Sequence, residues 1–235
     1  MRHIVALSGG KDSTALALRL AEVEPRQYEY ICTPTGDELP GVVEHWGRLE
    51  GILGQPIRRV SPGFTLVDLT KREKMLPNFR ARFCTKMLKI IPFQVALLEK
   101  TPATCYVGLR ADEEGRSGVE YDMSLLITTR FPLREWGWGI CEVLEYLADR
   151  GIEIPPRTDC ARCFYQTLHE WYLLWRDHPD IYASAVDDEH RTAHTYRSPQ
   201  RDTWPAALFD LAIEFQNGRI PKVRKRKDGC RACTM

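Results

Sequence analysis

Ser8, Gly9, Gly10, Lys11, Asp12, Ser13 and Thr14 form an unbroken run between two apolar stretches, HIVAL (3–7) and STALALRLAEV (13–23). Adjacent glycines let a backbone approach a ligand closely, and the first N–H groups of a helix point beyond its end. Lys11 adds a full positive charge, and Ser8, Ser13 and Thr14 add hydroxyl donors. Cradling a phosphate or another oxyanion is the chemistry these types suit. The spacing is neither G-x-x-x-x-G-K-S/T nor G-x-G-x-x-G. The alternative is a tight turn in which Asp12 or Ser13 caps the helix, but a mere cap has no use for Gly-Gly-Lys.

Further along, TGDEL (35–39) offers Asp37 and Glu38, which either touch a ribose, an adenine or Mg²⁺, or cap a following helix. VGLRADEEGR (107–116) offers Arg110 and Arg116, whose forked donors suit phosphate or sulfate oxygens. RFCTKMLKIIP (82–92) brings Cys84 together with Lys86 and Lys89, three apart on one helical face. A thiol at a helix N-terminus with cations nearby is expected to have a lowered pKa. Eight cysteines are present, and four form two C-x-x-C pairs, Cys160/Cys163 and Cys230/Cys233. Four thiolates suit zinc or an iron–sulfur cluster of the 4Fe-4S type, if the tail folds back. Cys160 and Cys163 with His190 and His194 make a second metal spacing. Cys32, Cys105 and Cys141 fall within strand or helix patterns and read as small hydrophobes.

The elements that must position these residues follow from periodicity. Strands are predicted over 3–7, 28–33, 57–60 and 103–107, with a further one near 124–128. Helices are predicted over 13–23, 41–53 and 84–99, the last kinked or broken at Pro92. Alternating strands and helices predict a parallel sheet with helices on both faces, a Rossmann-like α/β fold. Beyond about residue 130 the pattern turns helical, over 138–152, 164–177 and 204–216. The expected organisation is an α/β nucleotide-binding domain over 1–135 and a helical, cysteine-containing extension over 136–235. The chain has 235 residues, 43% hydrophobic and 28% charged, with net charge +1, so no global field advertises a polyanion. The basic run KVRKRK (222–227) is either a solvated tail or a contact to a nucleic-acid backbone. No apolar run approaches the ~20 residues of a membrane span, and the N-terminus lacks a signal-peptide pattern. The expectation is a cytoplasmic protein without membrane contact.

The stretch S-G-G-K-D-S-T resembles the PP-loop of the adenine-nucleotide α-hydrolase-like superfamily, which holds the pyrophosphate end of ATP. TGDEL, RFCTKMLKIIP, VGLRADEEGR and PLREWGWGICEVLEYLADRGI (132–152) together resemble its phosphoadenosine-phosphosulfate reductase-like branch, over roughly residues 3 to 165. Two features depart from the reductases of that branch. Their loop is typically degenerate whereas this one is intact, and they use a near-terminal Glu-Cys-Gly-type motif whereas this chain carries GCRACTM (229–235). Both departures favour cleavage of ATP to AMP and pyrophosphate.

With clustered cysteines, the chain is similar in character to the ATP-pyrophosphatase components of DNA phosphorothioation systems. That resemblance implies adenylation of an acceptor, DNA or tRNA, for insertion of sulfur supplied by a cysteine desulfurase. On this reading Lys11, Asp12, Cys84 and Arg110 are the catalytic candidates. Ser8, Gly9, Gly10, Lys11, Asp12, Ser13, Thr14, Asp37, Glu38 and Arg116 bind ATP and Mg²⁺, and Cys160, Cys163, Cys230 and Cys233 hold the metal. The competing readings are a sulfonucleotide reductase and a non-catalytic, zinc-stapled nucleotide-binding adaptor.

Overall fold

The structure, a computed structural model, describes residues 1–113, 115–116 and 126–223. Five strands, β1 (Arg2–Ala6), β2 (Glu29–Cys32), β3 (Ile57–Arg59), β4 (Ala103–Tyr106) and β5 (Ile127–Arg130), form one parallel sheet in the order β3-β2-β1-β4-β5. The order reverses beside β1. The chain winds outward through β2 and β3, then returns to place β4 on the other side of β1. The loops leaving β1 and β4 therefore diverge at the carboxyl edge, where open α/β sheets bind ligands.

Successive strand residues face opposite sides, and the sequence fills both sides with apolar groups. Val5, Tyr30, Cys32 and Tyr106 pack under α1 (Lys11–Val23), α2 (Pro40–Leu53) and α6 (Ile140–Asp149), through Leu16, Leu20, Leu49, Val143 and Leu147. Ile4, Ile31 and Cys105 pack under α4 (Ile91–Leu98), through Phe93, Ala96 and Leu97. Burial pushes the Cys32 and Cys105 thiols up to about 12, in keeping with hydrophobic filling. Cys141 instead lies exposed on α6.

A second core joins α7 (Leu168–Asp177), α8 (Pro179–Thr192) and α9 (Leu208–Gln216) around Trp171, Tyr182, Leu211 and Phe215. The α6 helix belongs to the sheet layer, although the sequence reading assigns it to the extension; its Val143–Leu147 stripe is buried on α1.

Three helices come from no sequence expectation: α3 (Leu66–Glu73), the short α5 (Pro132–Glu135) and α8. Between α3 and α4 the helix expected over 84–99, with its kink or break at Pro92, is divided next to that proline. Thr85–Ile90 is π-helical and passes into α4 at Ile91, with Pro92 in the first turn of α4. No helix among the described residues is long and apolar enough to cross a membrane.

Candidate active site

The loop after β1 is shaped from below by α2. Trp46 Nε1 donates to the Ser8 carbonyl at 3.0 Å. Gly9 takes φ +83°, and a Cβ there would meet Trp46 Nε1 at 2.6 Å, so both conformation and space demand glycine. Gly10 is the N-cap of α1, and no side chain caps the helix. Neither Asp12 nor Ser13 plays the capping part. Ser13 Oγ lies 3.0 Å from Ser8 Oγ and donates to the Gly10 carbonyl at 3.1 Å, tying the loop to itself. Thr14, expected to touch a ligand, is fully buried and is absent from the lining of the cavity that the rest of the loop faces.

Ser8, Gly10, Lys11, Asp12 and Ser13 open into a cavity of about 440 Å³, within the usual range for a small-molecule site. Lys89, Arg116, Glu38 and Cys160 share its walls, with Phe93, Ile31 and Trp46 as apolar surface. The cavity thus gathers residues from the ends of β1, β2 and β4, from the π-helical turn and from the C-x-x-C turn. Gly108, after β4, lets two backbones approach: a Cβ there would lie 3.1 Å from the Asp12 carbonyl carbon and the Ser13 nitrogen.

Several expected residues hold the site rather than line it. Arg110 is 1% exposed. Its Nη1 donates to both Asp12 oxygens at 3.1 Å, and its Nε donates to Asp112 at 2.8 Å. Burial disfavours its charge, but Asp12, Asp112 and Glu113 more than offset this and hold it charged. Asp12 sits between that guanidinium and Lys11, whose Nζ lies 3.0 Å away. The geometry makes Arg110 a positioning group for the first turn of α1.

Asp37 neither faces the cavity nor caps α2, whose N-cap is Leu39 without a side-chain bond. Its carboxylate accepts from the backbone N–H of Arg162 at 2.9 Å and from Arg162 Nε at 2.7 Å. Glu38 folds back on its own loop, accepting from Thr35 N at 2.6 Å, Thr35 Oγ1 at 2.7 Å and Gly36 N at 3.0 Å. Arg116 reaches the cavity wall beside its ion pair with Glu113. Lys86 and Lys89 do not share a face. The wider π-helical turn breaks the i,i+3 alignment, leaving Lys89 in the wall and Lys86 exposed.

The expected activation of Cys84 is overturned. Cys84 is already in the αR region ahead of the π-helix, packed against Leu66, Leu69 and Leu88. Burial pushes its thiol up, and the nearby Lys89 charge opposes this without reversing it. Burial likewise drives Cys160 up to about 11, although Thr35 Oγ1 donates to its Sγ at 3.3 Å. Two unanticipated groups fix Cys160 in place. Arg157 donates to the Cys160 and Ala161 carbonyls, and an antiparallel bridge joins Glu38 to Cys160. The Arg157 signal stood in the sequence as a cation three residues before the C-x-x-C pair.

A thiol at about 11 is protonated at neutral pH, and its thiolate fraction rises with pH. At pH 7.5 Cys160 carries about a hundred-fold less thiolate than a thiol at the ordinary value of 9.0. Alkylation by iodoacetamide, read by peptide mass spectrometry, is expected to be about a hundred-fold slower than on free cysteine. It should rise about ten-fold per pH unit up to about pH 11. Labelling at the free-cysteine rate at pH 7.5 would show a charge-stabilised thiolate and refute this.

Among solved structures, the fold matches phosphoadenylyl-sulfate (PAPS) reductase from Candida auris, in a phosphate complex. The match has a TM-score of 0.52 at 15% identity, covering 66% of this chain and 75% of that one. The fold is that of a PAPS reductase. Identity that low speaks to the fold alone. No model of a known protein family matches the chain, and no curated protein matches it in sequence.

For the metal, Cys160 and Cys163 are in place as free thiols, the first in the cavity wall and the second buried. Cys230 and Cys233 lie outside the described residues, as does the basic run from residue 224 onward. Among the described residues no group of three or more His, Cys, Asp or Glu side chains is placed to hold a metal. The pairing of Cys160 and Cys163 with His190 and His194 is therefore not formed. His190 and His194 lie exposed at and beyond the end of α8.

Proposed function

We propose that this protein is an ATP pyrophosphatase that adenylates an acceptor, DNA or tRNA, for sulfur insertion. One observation carries the reading: an uncapped, lysine-bearing helix N-terminus opens into the same cavity as the thiol of Cys160. The backbone N–H groups of the first turn of α1, with Lys11, would receive the terminal phosphates of ATP, which enters with Mg²⁺ as its counter-ion. Lys89 and Arg116 supply further positive charge from the cavity walls. An acceptor oxygen attacks the α-phosphorus and pyrophosphate leaves, its developing charge met by preorganised donors. A sulfur nucleophile then breaks the bond between acceptor and AMP. The sulfur would come from a cysteine desulfurase, with Cys160 as the chain's own thiol at the point of delivery. A zinc or iron–sulfur group would need Cys230 and Cys233, and no step here depends on it.

The likeness of fold to a PAPS reductase favours a second reading, thiol-dependent release of sulfite from a sulfonucleotide. Product analysis separates the readings. ATP supplied with acceptor nucleic acid should yield AMP and pyrophosphate in equal amounts. Sulfite release from PAPS would select the reductase instead. Binding of ATP without any cleavage would select the nucleotide-binding adaptor.

A further inference from the structure

From Lys74 to Leu98 the chain carries five cations, Lys74, Arg80, Arg82, Lys86 and Lys89, and no carboxylate. Near the start of this stretch stands Phe79, 51% exposed although it is a large apolar side chain. Its ring meets Phe164 edge-on at 5.1 Å and Tyr165 edge-on at 4.9 Å, and the Arg82 guanidinium lies 5.5 Å over the Tyr165 ring. Phe164 and Tyr165 directly follow Cys163, so this aromatic group is built on the C-x-x-C turn.

On it opens a second cavity of about 480 Å³, walled by Phe79, Phe164, Asn78, His190 and His194. Its one carboxylate among the described residues, Glu189, has both oxygens occupied: they accept from Tyr196 N at 2.8 Å and Leu208 N at 2.7 Å. Burial pushes that carboxyl up to about 7, which weakens the negative charge it presents. The surface thus combines a half-exposed ring and a cavity large enough for a nucleobase, and the cation-rich stretch that carries the ring also carries Lys89, in the wall of the main cavity.

We propose that this second cavity takes an unpaired base of a single-stranded acceptor nucleic acid, stacked on Phe79, while Arg80 and Lys86 meet its phosphates. The inference rests on the adenylation reading and specifies its acceptor. A stacking ring needs an exposed base face, which a duplex hides. Cations without intervening carboxylates select a polyanion, and the same stretch joins the aromatic group to the thiol where sulfur would be delivered.

The test is fluorescence anisotropy of the full chain, without ATP, with a labelled single strand of about twelve nucleotides and with its duplex. The single strand should bind more tightly than the duplex. Phe79→Ala should weaken it about 5- to 160-fold, the range of one base–aromatic stack, and Phe79→Trp should retain it. Arg80→Ser and Lys86→Ser should each lower the slope of log affinity against log salt by about 0.7. Wild-type affinity in Phe79→Ala, equal binding of the duplex, or displacement of the strand by polyglutamate at equal charge would overturn the proposal. Because ATP is absent, the outcome stands apart from the adenylation reading. A protein that cleaves ATP with Phe79→Ala indifferent to the strand loses this cavity. One that binds the strand through Phe79 but never yields AMP loses the adenylation step.

Discussion

Replacing Lys11 with alanine is expected to slow conversion of ATP to AMP and pyrophosphate by about 10²–10³, the usual cost of losing one oriented charge-stabilising donor. The fold should tolerate the change. Lys11 is the first residue of α1, where alanine is the better helix former. Its one ion pair among the described residues, to Asp12, is partly exposed and its loss costs about 0–1 kcal/mol. Asp12 keeps Arg110, so no carboxylate is stranded. The ammonium stays near the carboxylate in the absence of ligand and is free to turn toward phosphate from the same helix start. Lys11→Arg should recover only part of the rate, because a planar fork does not replace a compact ammonium inside a glycine cradle. Rates measured by pyrophosphate release, with circular dichroism as the control for folding, decide it. Near wild-type turnover in Lys11→Ala would remove the phosphate assignment.

What the sequence made legible was periodic or local. The sheet follows from apolar strands alternating with helical stretches, and the phosphate loop from seven contiguous residues. Helix α3 lies outside the sequence expectation although its start is spelled out in Thr65 and Asp68, which form a reciprocal cap. Helix α8 starts at Pro179 with no side-chain cap, so no such reciprocal pair marks its beginning. The site was harder, because its residue types are local but their partners are not. Asp37 reads as a ligand in its own loop, yet its partner Arg162 lies 125 positions away. Arg110 looks like an anion receptor, yet it is spent on Asp12, 98 positions earlier. Cys84 looks activated by Lys86 and Lys89, but burial outweighs charge, and the π-helical turn removes the shared face. Net burial and the winding of one helix are tertiary outcomes that a window of ten residues does not encode.

The Asp37–Arg162 contact decides whether the two cores work as one site, and Arg162→Met is expected to be the most destabilising single change. Arg162 reaches Asp37 on the sheet side and Asp188 on α8, with Ser184 at 3.0 Å. The side chains of Asp37 and Asp188 are 2% and 3% exposed. Removing the cation leaves two carboxylates buried with too little counter-charge. Arg191 remains for Asp188, but Asp37 loses its only partnered cation among the described residues. Breaking a buried pair from one side costs about 3–5 kcal/mol, or a fall in Tm of roughly 10 °C for a chain of this size. Arg162→Met with Asp37→Asn should recover part of it, since the stranded charge is gone. The same contact seats the thiol: Ala161 N donates to the Asp37 carbonyl at 2.6 Å, beside the bridge from Glu38 to Cys160. Arg162→Met should therefore also raise the rate of Cys160 alkylation, as the turn loosens and water reaches the sulfur. An unchanged Tm together with unchanged labelling would show that apolar contacts alone hold the C-x-x-C turn against the phosphate loop.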